Sequence, residues 1–235
     1  MSNAREEWAT PGPVRGVIFD LHSTLVDQGS AQEWLQRGLE ASGHRLDARE
    51  AATLASFLDR VWENARLHDP DSLRDLSAAA HHRVFHQLLA EGPGVDPALG
   101  DALYDCLLDT WHAYDDAVPV LQQLRAAGVR IAVLSNVGVD VQHVLDREGL
   151  APFCDATVLS WQVGSVKPDA PIFLRALELL ELTADEVLMV GDSGKDDIGA
   201  SFVGMRTLIL PRTSGRSHGL SAVSALVLGL NAAYP

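Results

Sequence analysis

Five short, β-branched apolar runs recur along this chain, and they limit how it can fold. They are Val14–Leu21 (VRGVIFDL), Val129–Ser135 (VRIAVLS), Ala156–Ser160 (ATVLS), Val187–Gly191 (VLMVG) and Arg206–Leu210 (RTLIL). A strand with one wet face alternates apolar and polar residues. A continuous apolar run has both faces covered, as in a parallel sheet flanked by helices. Helical patterns fill the intervals. Val118–Ala127 has apolar residues at helical spacing and stops at Gly128, Val139–Leu145 precedes Gly149, and Pro171–Leu182 has a wide apolar face. Asp196–Met205 is a shorter helical stretch, and the serine-interrupted segment around Leu220–Leu230 reads as a docked terminal helix. Strands alternating with helices of this length predict an α/β fold with a doubly wound parallel sheet. Right-handed crossovers then bring the C-terminal ends of the strands to one edge, where ligands bind in such folds.

The alternation is interrupted once. About a hundred residues without a convincing strand follow the first run. Gln32–Glu40, Ala48–Arg66, Leu73–Ala90 and Pro97–Trp111 read as helices, with breaks at Gly43, Asp69-Pro70 and Gly92-Pro93-Gly94. The pattern predicts a core of residues 1–27 and 113–235 carrying a helical insertion over 28–112. With 235 residues, 47% of them hydrophobic, the chain has material for both.

Charge narrows the partners. Thirty-two acidic against 18 basic residues give a net charge of −14, which repels nucleic acid and anionic membrane surfaces. An anion-handling site in such a protein needs positive charge supplied locally. No apolar segment reaches the ~18 residues of a membrane span, and residues 1–13 lack a secretory-signal pattern. Cys106 and Cys154 are far apart, without Cys-x-x-Cys spacing, and read as two reduced thiols. The expected location is cytoplasmic.

The predicted sheet edge gathers a coherent set of side chains. Asp20 ends the first run and is followed by His22, Ser23 and Thr24; Ser135-Asn136 ends the second; Lys167-Pro168 follows the third; Gly191-Asp192 ends the fourth, with Asp196 and Asp197 just beyond. A carboxylate at a strand end can attack phosphorus, provided that its repulsion from a dianionic phosphate is neutralised. Asp20, Asp192 and Asp197 can hold a hard, oxygen-seeking Mg²⁺. Ser135 and the N–H groups opening the next helix can bind phosphate oxygens, and Lys167 supplies a compact cation. Gly194-Lys195 is not a nucleotide loop, because Met189 and Asp196 stand where such a loop needs Gly and Ser or Thr.

This ordered set resembles the haloacid dehalogenase superfamily of aspartate-nucleophile hydrolases. The family pattern Asp-x-Asp-x-Thr/Val, Ser/Thr, Lys, Gly-Asp plus a downstream acid reads here as Asp20-Leu-His22-Ser-Thr24, Ser135, Lys167 and Gly191-Asp192-(x)₄-Asp197. The resemblance covers residues 14–27 and 113–212, and the insertion matches the family's helical cap in position. It implies Asp20, His22 and Lys167 as catalytic groups acting on a small phosphorylated substrate. Thr24, Ser135, Asn136 and Lys167 would bind that substrate. Asp20, Asp192, Asp197 and the backbone carbonyl of His22 would bind Mg²⁺.

One position departs from the pattern. Where family phosphatases place a second Asp as general acid/base, this chain has His22. Histidine can do that work near neutral pH. Three readings stay open: phosphatase chemistry with His22 as acid/base, another hydrolysis through Asp20 such as dehalogenation, and a phosphate-ligand-binding protein with feeble turnover. Family dehalogenases work without Mg²⁺, so the acid set favours the first. Substrate choice is expected from the insertion, with residues near Gln28–Trp34 and one inter-helix loop facing the site. His82 and His86, four apart, can share a helix face but lack an evident third metal ligand, and Trp34 and Trp62 read as insertion core.

Overall fold

The first apolar run forms β1 (Gly16–Asp20), buried at all five positions. In the computed structural model, which describes residues 12–233, β1 is the central strand of a five-stranded sheet ordered β5-β4-β1-β6-β7. Every pairing in it is parallel: β1 lies between β4 (Arg130–Ser135) and β6 (Val187–Gly191), with β5 (Ala156–Leu159) and β7 (Arg206–Ile209) outside them. The register sets Asp20 opposite Leu134 and Phe19 opposite Val190. Asp20, Ser135 and the Gly191-Asp192 pair therefore arrive together at one edge. The reading of residues 1–13 as lacking a leader falls almost wholly outside the described residues.

Alternation along β1 divides the core. Val17 and Phe19 join one buried cluster with α6 (Ala117–Ala126) and α11 (Ser221–Ala233), through residues such as Leu121, Leu124, Val223 and Val227. Ile18 faces the opposite cluster, with Ala132, Leu134 and Met189 against Ile172, Phe173 and Ala176 of α9 (Ala170–Leu180). A fully buried side chain of this kind contributes roughly 1.5–3 kcal/mol relative to exposure. Smaller helices complete the core: α7 (Gln142–Arg147), α8 (Ser160–Val163) and α10 (Gly199–Phe202). The expected helix over Asp196–Met205 thus begins later, at Gly199, because turns occupy the chain before it.

The insertion leaves and re-enters through a two-stranded antiparallel ladder, β2 (Val26–Asp27) with β3 (His112–Ala113). It holds α1 (Ala31–Ser42), α2 (Ala48–Leu58), α3 (Val61–His68), α4 (Ala78–Ala90) and α5 (Pro97–Asp105) around a separate cluster that includes Trp34, Leu54, Leu58, Phe85 and Leu103. Local chemistry sets the ends. Ser30 caps α1 by accepting from the Glu33 N–H, and Gly43 ends it at φ 71°. Asp47 and Glu50 form a reciprocal capping box on α2, and Asp96 with Pro97 opens α5. Two expected helices are divided. Ala48–Arg66 breaks at Asp59-Arg60, and Leu73–Ala90 becomes a 3-10 turn over Leu73–Leu76 followed by α4, whose first turn is capped by Ser77. Among the described residues no helix is long and apolar enough to cross a membrane.

Candidate active site

The sheet edge and the insertion enclose a cavity of about 320 Å³. Its core wall holds Asp20, His22, Ser135, Asn136, Lys167, Asp192 and Asp197. Asp20 ends β1, where the backbone turns sharply. The Ser23 N–H bonds back to the Val26 carbonyl at 2.7 Å while Ser23 sits at φ 70°, a left-handed conformation costing a non-glycine residue on the order of 1 kcal/mol. Asp197 reaches the cluster because Gly191 lacks a side chain: a Cβ there would overlap the Asp197 carboxylate.

Lys167 is 4% exposed and its Nζ donates to Asp20 Oδ1 and Asp197 Oδ1, each at 2.6 Å. Asn136 fixes the lysine backbone, its amide oxygen accepting from the Lys167 N–H at 2.7 Å and its amide nitrogen donating to the Lys167 carbonyl at 3.0 Å. Carboxylate oxygens of Asp20, Asp192 and Asp197 all lie within 4.8 Å of one another. Three carboxylates against one ammonium leave two surplus negative charges in a buried place. Burial and that surplus together govern protonation. Burial raises the Asp20 pKa, Lys167 opposes the rise, and Asp197 and Asp192 add to it; burial and then Asp197 raise Asp192. For Lys167, burial favours loss of the proton, yet Asp197 and Asp20 outweigh it and hold its pKa above the ordinary value. Asp20, Asp192 and Lys167 thus all hold their protons more tightly than usual, the two carboxyls through burial first and neighbouring carboxylates second, the lysine through its two carboxylate partners. Asp20 Oδ2 is buried without a hydrogen-bond partner, and the surplus fits a hard divalent cation.

His22 occupies a different environment. Its ring lies 5.0 Å from that of Trp62 and 4.6 Å from that of Trp111, with one edge on the cavity. Burial, helped by Arg212 and Arg66, pushes its pKa down to about 3, so the imidazole is uncharged at neutral pH.

A haloacid dehalogenase-like hydrolase family model matches residues 14–204. The chain belongs to that family. This hydrolase is 36% identical to a ribulose-1,5-bisphosphate 5-phosphatase of Halopiger xanaduensis, over 82% of this chain and 83% of the relative. It is 30% identical to a glyceraldehyde 3-phosphate phosphatase of Methanopyrus kandleri, over 85% and 84%. The solved L-2-haloacid dehalogenase of Xanthobacter autotrophicus shares the fold at a TM-score of 0.65, with 24% identity over 94% of this chain and 88% of that one.

Not every expected residue of the hydrolase meets the cavity. Thr24 is fully buried off its wall, because the chain after Ser23 folds back on Leu21; its hydroxyl has no hydrogen-bond partner. Asn136 lines the cavity, but its amide is committed to Lys167. The helix after Ser135 starts only at Gln142, and no residue of it lines the cavity, so its N–H groups are not the expected phosphate donors.

The insertion wall is formed by Trp62, Arg66, Pro70, Ser72, Arg74, Asp75 and His81. The expected inter-helix loop does face the site. Gln28–Trp34 does not: Gln28 to Ala31 and Trp34 border a separate crevice of about 10 Å³. Trp34 is insertion core, its indole N–H donating to the Leu103 carbonyl at 2.8 Å, whereas Trp62 both packs with the core and lies tilted against His22. His82 and His86 stack at 3.9 Å; Asp20, Asp192 and Asp197 form the only three-residue group suited to a metal among the described residues.

The wall is fastened to the core mainly through backbone atoms. Ser160 Oγ donates to the Asp75 carbonyl at 2.5 Å and accepts from the Val137 N–H at 2.9 Å, and Lys195 Nζ donates to the Pro70 carbonyl at 2.9 Å. At Gly138 a Cβ would stand 2.5 Å from the Arg74 carbonyl oxygen. Sequence spacing could flag Trp62 and Arg66 as one helix face, four residues apart, but not that this face meets His22.

Proposed function

We propose that this hydrolase is a Mg²⁺-dependent phosphatase of small phosphorylated metabolites, working through an aspartyl-phosphate on Asp20 beneath a cap formed by residues 28–112. The observation that carries this reading is the trio Asp20, Asp192 and Asp197, with ligand oxygens within 4.8 Å and a surplus of negative charge. Asp20, Asp192, Asp197 and the backbone carbonyl of His22 would hold Mg²⁺, which neutralises charge between the phosphate and the carboxylates. Asp20 attacks phosphorus with one carboxylate oxygen while Lys167 steadies the carboxylate and offsets phosphate charge. Ser135, at the end of β4, donates to a phosphate oxygen. The P–O bond to the leaving group breaks, and water then cleaves the aspartyl-phosphate. The cap excludes bulk water during both steps. Phosphatases at 36% and 30% identity over most of the chain support the same chemistry.

His22 is assigned the acid/base position. The burial that keeps its ring uncharged leaves it no proton for a departing alkoxide and also weakens it as a base toward the attacking water, so it is expected to serve activated leaving groups best. The tilted rings of Trp62, His22 and Trp111 also give the cavity an apolar wall that can take the carbon–halogen end of a small haloacid, which is what favours dehalogenation as the second reading.

Hydrolysis of p-nitrophenyl phosphate and acetyl phosphate, with and without Mg²⁺, tests the proposal in the parent, Asp20→Asn and His22→Asn. Mg²⁺-dependent turnover, lost in Asp20→Asn and weakened in His22→Asn, is expected. Halide release from 2-haloacids without phosphate release would establish the second reading, and Mg²⁺ binding without any turnover would leave a phosphate-ligand-binding protein.

A further inference from the structure

Four cationic side chains line the cavity, and three are already engaged. Lys167 is held by Asp20 and Asp197. Arg74, 8% exposed, is held by Asp69 at 3.4 Å and Asp75 at 3.3 Å. Lys195 donates to the Pro70 carbonyl. The fourth, Arg66, makes no ion pair among the described residues although it lines the same cavity. The lining acids outside the metal trio are occupied as well: Asp75 pairs with Arg74, and Asp196 accepts from Ser193 Oγ at 3.0 Å. In a chain with a net charge of −14, an exposed guanidinium beside an acidic cleft, without a carboxylate partner, is available to an incoming anion.

The helix face that carries it is anchored, while the Arg66 side chain itself is exposed and makes no hydrogen bond among the described residues. Arg66 lies four residues after Trp62 on α3, hence on the same face, and Trp62 anchors that face at 5.0 Å from the His22 ring. The charge of Arg66 is felt across the cavity at His22, Asp75 and Asp192. The cavity, about 320 Å³, is at the small end of metabolite sites, so a short substrate held by phosphate at Asp20 extends to the opposite wall.

We propose that Arg66 is a second anion-binding subsite, and that the substrate carries a second anionic group, a carboxylate or a further phosphate, a few bonds from the phosphate held at Asp20. The guanidinium fork suits either group, since both accept two parallel N–H bonds. This rests on the phosphatase reading for the place of the first phosphate, but the subsite itself is defined by the cap.

The test compares substrates that differ at the distal end alone: 3-phosphoglycerate against glycerol 3-phosphate for the carboxylate, and fructose 1,6-bisphosphate against fructose 6-phosphate for the phosphate. Ratios of kcat/KM are measured in the parent, Arg66→Ala and Arg66→Lys. The parent is expected to favour at least one doubly anionic member by roughly 10- to 100-fold, the span of a charge-assisted contact. Arg66→Ala should bring that ratio to within about threefold of one, and Arg66→Lys should restore part of it. The pair that shows the preference identifies the anion. Turnover with no preference, or a preference that survives Arg66→Ala, overturns the subsite and leaves the phosphatase reading standing. Binding of the same four compounds to Asp20→Asn, with and without Arg66→Ala, is followed by calorimetry. If no compound is hydrolysed by the parent yet 3-phosphoglycerate or the bisphosphate binds in an Arg66-dependent way, the subsite stands and the phosphatase reading falls.

Discussion

Replacing Lys167 with methionine isolates the electrostatics on which the site depends. The side chain keeps a similar length, but both 2.6 Å contacts with Asp20 and Asp197 disappear, leaving three clustered carboxylates with no cation. Removing one partner of a buried ion pair costs about 3–5 kcal/mol, because the other charge is left uncompensated. In a chain of this length each kcal/mol moves Tm by about 2–4 °C. The variant should therefore melt roughly 6–20 °C below the parent in EDTA at pH 8. Acidification should narrow that gap. A carboxyl whose folded pKa exceeds its unfolded value of about 3.9 loses stability as pH rises between the two values and recovers it as pH falls. The folded pKa values of Asp20 and Asp192 are already raised, and without Lys167 they climb further. The parent gains from the same two carboxyls on acidification, but by less, because Lys167 stays charged throughout this range and holds both values lower than in the variant. Thermal melts by circular dichroism at pH 8.0 and 5.5 suffice, with Mg²⁺ added in a second series to replace the missing charge. A gap under about 2 °C at pH 8, or one that does not shrink at pH 5.5, refutes the surplus-charge account.

Four further results are expected. Asp20→Asn should lower turnover by at least about 10³-fold, yet melt no lower than the parent in EDTA, since it removes one charge from an overcharged cluster; a clear fall in Tm would contradict that. His22→Asp should raise hydrolysis of alkyl phosphates about 10²-fold more than that of p-nitrophenyl phosphate, since only a poor leaving group needs the acid; equal gains on both would remove the argument from the uncharged imidazole. Ser160→Ala leaves the Asp75 carbonyl and Val137 N–H without their partner, at a cost of about 1–3 kcal/mol, and should speed protease nicking near residues 69–77; unchanged cleavage would show that this contact does not hold the cap. Mg²⁺ affinity by calorimetry should weaken from pH 8 to pH 6 as protons compete for Asp20 and Asp192, whose pKa values are raised, and a flat profile would argue against these ligands.

The sheet edge that gathers the candidate site was legible in the sequence because buried parallel strands leave a plain record. Each β-branched run ends at the polar residue it delivers: Asp20, Ser135 and Asp192 stand at the ends of β1, β4 and β6 as their runs imply. The ends of the insertion helices were less so. Asp59-Arg60 breaks a helix without Gly or Pro, and buried Leu58 and Val61 flank it at a spacing that reads as continuous. β2 and β3 are two residues each, too short for any period. The cap wall was misplaced for a deeper reason. Which face of an insertion meets its core is decided by tertiary contacts such as Ser160 with Asp75, and neither residue carries a local sign of the other. Arg66, Arg74 and Asp75 are ordinary charged residues in the sequence, and only the docked cap sets them around a cavity.

The fastening of the cap bears on how such an enzyme changes its diet. Ser160 and Lys195 grip the carbonyl oxygens of Asp75 and Pro70, groups that every amino acid provides, and the close approach at Gly138 is to the Arg74 and Ser77 carbonyls as well as the His81 Cβ. Side chains at positions 66 and 72 are thus free to be exchanged without loosening the closed arrangement, whereas His81, buried against Phe85 and bonded to Tyr104, is part of the packing. If those two positions recognise substrate, recognition and closure are separable, and a library confined to them should yield altered selectivity among folded, closable proteins, with the sheet edge beneath them untouched.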